Sequence, residues 1–172
     1  MKKLVAVALC SLSGVAFAAP DAQVNFTGKV IDGTCTVEGT GTGTKQISVP
    51  LTQVHNSKFT AAGMAIDDGK SSFDIKLTNC PNATTTLKWD NSANVDSATG
   101  TLKNTVASGG TSAQIQLFKA DGTTVVNLAT DPGVSFTGTA QTYTYIAKYY
   151  AKTLPVTGGD LATFSYIYLT YN

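Results

Sequence analysis

The sequence contains no arginine, a single tryptophan and a single histidine, His55. Without guanidinium groups it has no bidentate clamp for a phosphate or a carboxylate. His55 lies in a polar stretch with no nucleophile motif around it, so a Ser-His-Asp arrangement is not supported. The acidic pair Asp67 and Asp68 precedes Gly69 and is typical of a β-turn, not of two convergent catalytic carboxylates. We predict no catalytic residue and no enzyme.

Charge of either sign is also scarce. Lysine supplies all 12 positive charges, against 11 acidic residues, which gives a net charge of +1. This balance predicts no basic patch of the kind that binds nucleic acid. The glycine- and threonine-rich stretch 39–44 lacks the spacing of a phosphate loop and leads into a strand-like segment. We therefore predict no nucleic-acid partner and no cofactor.

The first residues have the pattern of a secretory signal peptide. Lys2 and Lys3 precede an apolar stretch, and residues 16–18 form an A-x-A cleavage site. The apolar stretch is too short for a membrane span, and no later segment reaches the roughly 18 apolar residues that a transmembrane helix needs. We predict that residues 1–18 are a signal peptide cleaved after Ala18, or alternatively after Ala19, and that the protein is exported.

Cysteine is rare as well, with three in the whole chain. Cys10 lies in the predicted signal peptide, which leaves Cys35 and Cys80 in the exported protein. In an oxidising compartment, two cysteines in one small domain indicate one disulfide. Two thiols and one histidine do not make a tetrahedral zinc set, so we predict no metal site.

Strand-like runs recur along the rest of the chain, with turn signals such as Asp-Gly and Gly-Gly between them. Helical periodicity is hard to find. The predicted strands are residues 23–31, 34–38, 46–54, 72–77, 84–89, 100–106, 113–119, 142–151 and 161–171. Short strands at this spacing predict an all-β antiparallel sandwich with one disulfide.

The last predicted strand is apolar on both of its faces. Ile167, Leu169 and Tyr171 point to one side. Aromatic residues point to the other side, namely Phe164, Tyr166 and Tyr168. An exposed strand of this kind offers unpaired amide and carbonyl groups to other chains. We therefore expect a partner strand beside it.

A second strand-like segment lies near the predicted mature N-terminus. Val24, Phe26, Gly28 and Val30 alternate with the intervening residues, which gives a period of two and an apolar face interrupted by one glycine. The segment begins only a few residues after the cleavage site, so it could leave its own domain. A free strand at one end and an incompletely paired strand at the other predict pairing between molecules.

These two ends resemble those of chaperone-usher fimbrial subunits. The pattern Val24-x-Phe26-x-Gly28-x-Val30, with Cys35 seven residues after the glycine, is similar to the N-terminal extension and first cysteine of that family. At the other end, the family motif is matched by Gly159, the fourteenth residue from the end, and by the penultimate Tyr171. The spacing from Cys35 to Cys80 and the runs 100–102 and 113–118 also resemble major fimbrial subunits.

The resemblance implies an incomplete immunoglobulin-like sandwich that lacks its last, seventh strand. Residues 19–32 would be an N-terminal extension and residues 33–172 the pilin domain. Four residues of the extension would enter the groove of a neighbouring subunit, namely Val24, Phe26, Gly28 and Val30. Gly28 would occupy the shallow part of that groove. Ile167, Leu169 and Tyr171 would form the groove edge, and Asp32 would lie at the groove mouth, because burying a carboxylate in an apolar groove is costly.

The resemblance also implies partners and a location. Each subunit would donate one strand and accept another, so identical subunits would form a heterologous, non-closing polymer. The other implied partners are a periplasmic chaperone, an outer-membrane usher and a tip adhesin subunit. The protein would pass through the periplasm to a fimbria on the cell surface and act as its shaft subunit.

A secreted carbohydrate-binding sandwich is the alternative interpretation of the same sequence. In that interpretation Trp89 and the many tyrosines of the chain would form an aromatic platform for a sugar ring. Otherwise Trp89, which is flanked by Leu87 and Asp90, is expected to be a core or sheet-face residue. It predicts a stable monomer that binds glycans without a partner subunit.

Overall fold

The computed structural model describes residues 27–28, 30, 33–91 and 93–172. The chain divides into two units, residues 1–30 and 31–172. In the first unit, a Cβ placed on Gly28 would meet no atom within 4 Å beyond its chain neighbours, and Val30 is exposed. The predicted signal peptide, the predicted donor residues Val24 and Phe26, and Asp32 lie outside the described residues.

The second unit contains two antiparallel sheets. The first has the strand order β1-β2-β7-β4-β5 and the second has the order β6-β3-β8. The strands are β1 Thr36–Val37, β2 Met64–Thr78, β3 Thr84–Trp89, β4 Gln114–Lys119, β5 Val125–Val126, β6 Val134–Thr137, β7 Gln141–Ala151 and β8 Ile167–Tyr171. Within the described residues, helical structure is limited to one 3-10 turn, Asn56–Lys58. None of the described helical structure could cross a membrane. The predicted all-β sandwich is confirmed.

One apolar core lies between the two sheets because alternate residues of their strands point inward. Leu87 of β3, in the middle of the smaller sheet, is fully buried. It packs in the same cluster as Ile75 and Leu77 of β2 and Leu117 of β4. Three of the strands that line this core, β3, β4 and β7, follow the predicted boundaries within one residue.

The predicted turn at Asp67, Asp68 and Gly69 is wrong. These residues lie inside the 15-residue strand β2, at an irregularity between Ile66 and Ser71 in its pairing with β7. Gly69 has a positive φ of 73°, and a Cβ there would lie 2.5 Å from the carbonyl oxygen of Thr52. The turn signals therefore mark a bulge, which lets the strand resume after its extra residues.

Two predicted strands are extended but are not part of a ladder. Residues 46–54 and 100–106 form only isolated bridges, at Gln46 and at Leu102. Apolar residues alternate at Ile47, Val49 and Leu51, whereas residues 100–106 contain only Leu102 and Val106. A strand also needs a neighbouring backbone over several residues. The short strands β5 and β6 were not predicted, since two and four residues give too little periodicity.

A buried polar network lies beside β4 and β7. The carboxylate of Asp96 accepts hydrogen bonds from Lys152 Nζ at 2.6 Å, Gln114 Nε2 at 3.1 Å and the Ala98 N–H at 3.1 Å. The hydroxyl of Thr101 donates to Gln114 Oε1. The lysine and glutamine bonds lower the pKa of Asp96 from 3.8 to about 2. The charged form is therefore the one that the fold stabilises.

This network predicts a pH dependence of stability. Because the folded pKa of Asp96 lies below its unfolded value, its contribution is complete above about pH 4 and is lost as the pH falls through about 2. Lys152 is partly exposed, so we expect a contribution on the order of 1 kcal/mol. Urea unfolding of the wild type and of Asp96→Asn at pH 5 and pH 2 measures it. The variant should lose less stability between the two pH values, and an identical loss in both proteins would contradict the prediction.

Candidate functional site

Within residues 33–91 and 93–172, the last strand, β8, has one paired edge and one open edge. It pairs with β3, and the Thr84 and Asn172 backbones exchange two hydrogen bonds of 3.2 and 2.9 Å. In an antiparallel pair these doubly bonded positions alternate along the strand. The N–H and C=O groups of Ile167, Leu169 and Tyr171 therefore point away from β3. Within the described part of the chain, none of these outward groups has a hydrogen-bond partner.

The side chains of the same three residues point toward the domain. Ile167, Leu169 and Tyr171 are half-buried, whereas the residues between them are exposed. Ile167 and Leu169 pack against the main core. β8 thus combines an inward apolar face with an edge of unsatisfied backbone groups, which is the arrangement that accepts an added strand.

A second extended segment, residues 47–51, also has unpaired backbone. It is bounded by hydrogen bonds from Gln46 to Thr40 and from Thr52 to Gly69. Between these bonds its backbone has no partner among the described residues. Its alternate side chains, Ile47, Val49 and Leu51, pack half-buried against the same core as β8. Among the described residues, the core is therefore bordered by two backbone edges without ladder bonds, namely the outer edge of β8 and residues 47–51.

Gly159 lies where the chain approaches this edge strand, and the space around it admits no side chain. Its φ is +148°, and a Cβ there would lie 2.7 Å from the carbonyl carbon of Gly110 and 2.8 Å from the Thr111 nitrogen. Gly110 and Asp160 form a parallel bridge. The glycine is needed because two backbones meet here.

Asn104 ties the same two segments together. Its side-chain amide donates to the carbonyl oxygens of Asp160 at 2.8 Å and Thr111 at 3.0 Å. Its side-chain oxygen accepts from the N–H groups of Ala162 at 3.0 Å and Val106 at 3.1 Å. Asn104 was not among the predicted site residues. No local pattern distinguishes it, since two of its partners are more than 50 positions away.

Tyr171 links the last strand to the start of the domain. Its hydroxyl accepts a hydrogen bond of 2.9 Å from the Cys35 N–H. Cys35 and Cys80 form the predicted disulfide. Cys80 lies between β2 and β3, so the bond connects the start of the domain to the strand that pairs with β8. The structure thus brings three of the predicted site residues together at one end of β8.

Trp89 does not form a surface platform. It is 7% exposed, and its ring lies 5.3 Å from that of Tyr145 and 6.4 Å from that of Phe73, both in edge-to-face geometry. It is a core residue at the end of β3. The carbohydrate-binding alternative, as far as it depended on Trp89, is therefore wrong.

The polar residues considered as catalytic candidates have local roles. His55 caps the 3-10 turn by accepting a hydrogen bond from the Ser57 N–H at 3.2 Å. Asp67 forms an ion pair with Lys148 at 2.8 Å, and Asp68 forms one with Lys58 at 3.2 Å. Lysine hydrogen bonds, chiefly from Lys148, lower the pKa of Asp67. Among the described residues, no group of three or more acidic, histidine or cysteine side chains could hold a metal ion.

Comparison with known proteins gives a consistent result, although no family model matches the sequence. The chain is 31% identical over 170 residues to the F17 fimbrial protein of Escherichia coli, with 92% of each protein covered. Its fold resembles the P pilus rod subunit PapA, with a TM-score of 0.58 and 21% identity, over 81% of this chain and all of that one. It also resembles a chain in a structure of a chaperone-usher pilus, with a TM-score of 0.55 and 23% identity, over 91% of this chain and all of that one.

Proposed function

Because the chain belongs to the family of chaperone-usher fimbrial subunits, we propose that it polymerises by inserting residues 24–30 beside β8 of a neighbouring copy. As a member of this family it is a structural subunit of a surface fimbria, assembles with other pilus subunits and is not an enzyme. The proposal concerns how the subunits join and which residues form the joint.

The observation that carries the proposal is the open edge of β8. An added strand would satisfy the outward backbone groups of Ile167, Leu169 and Tyr171, and each such hydrogen bond contributes about 1 kcal/mol net. The inward side of that strand would also cover the half-buried apolar face that β8 and residues 47–51 border. The backbone bonds supply affinity and the alternate side chains supply register.

The N-terminal extension has the composition that this edge requires. Val24, Phe26 and Val30 would face the core, and burial of each such side chain contributes about 1.5–3 kcal/mol. Gly28 would lie where the groove is shallow, and Asp32 would lie at its mouth. Because donor and acceptor are different surfaces of one subunit, the contact repeats without closing and produces a filament.

In the proposed pathway, export comes first and assembly at the open edge of β8 follows. We propose that residues 1–18 are removed on transit to the periplasm and that residues 19–32 and 33–172 are the extension and the pilin domain. An unpaired apolar edge would aggregate if left free, so a periplasmic chaperone strand would cover β8 until an outer-membrane usher exchanges it for the next subunit's extension. A tip adhesin subunit would end the filament.

Electrophoresis of the exported protein tests the proposal. In detergent without heating, the wild type should give a ladder of multimers that collapses to one band after boiling, because the joint is tight but not covalent. A variant lacking residues 19–30 should keep its disulfide-bonded domain and should not extend a polymer. A single monomer band from the unheated wild type would contradict polymerisation by strand donation.

Two neighbouring substitutions test the register within the same assay. Gly28→Leu places a large side chain on the inward face and should abolish the ladder. Thr27→Leu makes the same change on the outward face and serves as the matched control, which should still polymerise. Normal polymers from Gly28→Leu would contradict the assigned register.

A further inference from the structure

A row of exposed aromatic side chains follows the outer face of the C-terminal segment. Phe164, Tyr166 and Tyr168 are 53%, 47% and 56% exposed. They alternate with the half-buried residues that face the core, so all three lie on the side opposite to Ile167 and Leu169. The rings of Phe164 and Tyr166 contact each other edge to face, with centres 5.5 Å apart. We call these three residues the aromatic row.

The ring faces of the aromatic row carry no cation in the described structure. Among the described residues a cation lies over an aromatic ring at one place, where Lys148 Nζ is 4.3 Å from the ring centre of Phe118. Lys88 is directly opposite Tyr168 on β3, but it does not lie over that ring. Exposed tyrosine faces attract lysine ammonium groups because the ring quadrupole is negative above the ring plane.

The donor segment has an outward face as well as an inward one. Between its inward residues lie Asn25, Thr27, Lys29 and Ile31. Neighbouring strands in a sheet are about 4.8 Å apart, and side chains at adjacent positions lie on the same face whether the strands are parallel or antiparallel. If the inward residues of the donor segment share a face with Ile167 and Leu169, then its outward residues, Lys29 among them, share a face with the aromatic row.

We infer that the aromatic row is a second recognition surface for the extension of the neighbouring subunit, with Lys29 of that copy stacked on Tyr166 or Tyr168. This inference rests on the proposed strand donation, because it uses the same edge of β8. Lys29 is the one cationic side chain of residues 19–32, and it is long enough to reach along the strand. The inward face of the donor strand then provides register, and the outward face adds a charge-dependent contact that slows release.

A double-mutant cycle on the full-length protein tests the inference. The measured quantity is the rate at which detergent-resistant multimers dissociate at a fixed temperature below boiling. We expect Lys29→Gln alone, and Tyr166→Ser with Tyr168→Ser, each to accelerate dissociation by about two- to fivefold. Their combination should dissociate no faster than the tyrosine variant, because both changes remove one interaction.

Control variants separate ring contact from general surface changes. Tyr166→Phe with Tyr168→Phe retains both ring faces and should dissociate at a rate close to that of the wild type. Val125→Ser removes an exposed apolar side chain from β5, in the other sheet, and should have no effect. Unfolding of the unpolymerised domain should be unchanged in all of these variants, since the altered side chains are exposed.

Each remaining outcome contradicts the inference in a specific way. If multimers of the tyrosine-to-serine variant dissociate at the wild-type rate, the aromatic row is not part of the joint. An intact ladder from the same variant would still support strand donation. An effect of the tyrosines without an effect of Lys29, or additive effects of the two, would exclude their pairing and indicate another occupant such as a laterally packed subunit or a glycan. Absence of a ladder in the wild type would instead overturn the proposed function.

Discussion

Replacing both Cys35 and Cys80 by alanine is expected to lower the free energy of unfolding by about 4 kcal/mol. The two residues are 45 positions apart, and a cross-link of that span removes chain entropy from the unfolded state by this order of magnitude. A small domain has about 5–15 kcal/mol of total stability, so the loss is a large fraction of it. Urea unfolding of the domain monitored by fluorescence of Trp89, the single tryptophan, measures the change.

Reduction of the wild type provides the control for this prediction. Unfolding in the presence of dithiothreitol should bring the wild type to the midpoint of the alanine variant, and the variant itself should not respond to the reductant. A variant that unfolds within about 0.5 kcal/mol of the oxidised wild type would contradict the prediction. That result would mean that the unfolded chain without the disulfide is as compact as the unfolded chain with it.

Replacing Gly159 by alanine is expected to destabilise the domain by about 3 kcal/mol and to displace the chain that leads into β8. The added Cβ would overlap the backbone of residues 109–111, and backbone atoms cannot rotate away as a flexible side chain can. The φ of +148° adds strain for any residue with a side chain. Urea unfolding measures the loss, and the multimer ladder should weaken because β8 borders the proposed joint.

Gly158→Ala is the matched control for this second prediction. It adds the same methyl group one position earlier, where no atom lies within 4 Å and φ is ordinary. Its stability should stay within about 0.5 kcal/mol of the wild type. Equal effects of the two substitutions would show that the close backbone approach at Gly159 is not what limits this position.

Local periodicity was enough to predict most strands of the core. Leu87 and Trp89 are two positions apart in residues 84–89, and apolar or aromatic residues occupy every odd position of residues 143–151. Both segments are central strands with neighbours on each side. The same alternation at residues 46–54 predicted a strand that the structure leaves without a ladder. Sequence reports which face of a segment is apolar, but pairing depends on whether another backbone is available beside it.

In the candidate site, too, some features could be predicted from local sequence and others depend on distant parts of the chain. The opposite faces of β8 follow directly from the alternation of residues 164–171, and the disulfide followed from cysteine count and compartment. The structural reason for glycine at position 159 did not follow from the sequence, because that reason is a close contact with backbone 48 to 50 positions earlier in the chain. Asn104 was missed for a similar reason. The expectation that Trp89 is a core or sheet-face residue is confirmed, since Trp89 is buried in the core.

The hydrogen bond between the Cys35 N–H and the Tyr171 hydroxyl has a mechanical consequence. With the donor strand placed as proposed, tension in a filament enters each subunit through its own extension at Cys35 and leaves through the neighbour's strand held at β8. The disulfide passes this force from Cys35 to Cys80, and the chain passes it on to β3, which is bonded to β8 along its whole length. The load path then consists of this covalent bond, the Cys35–Tyr171 hydrogen bond and one strand pair. The five-stranded sheet joins that path only through the two-residue strand β1, which follows Cys35. Reducing that single bond would transfer the pulling force to the noncovalent core.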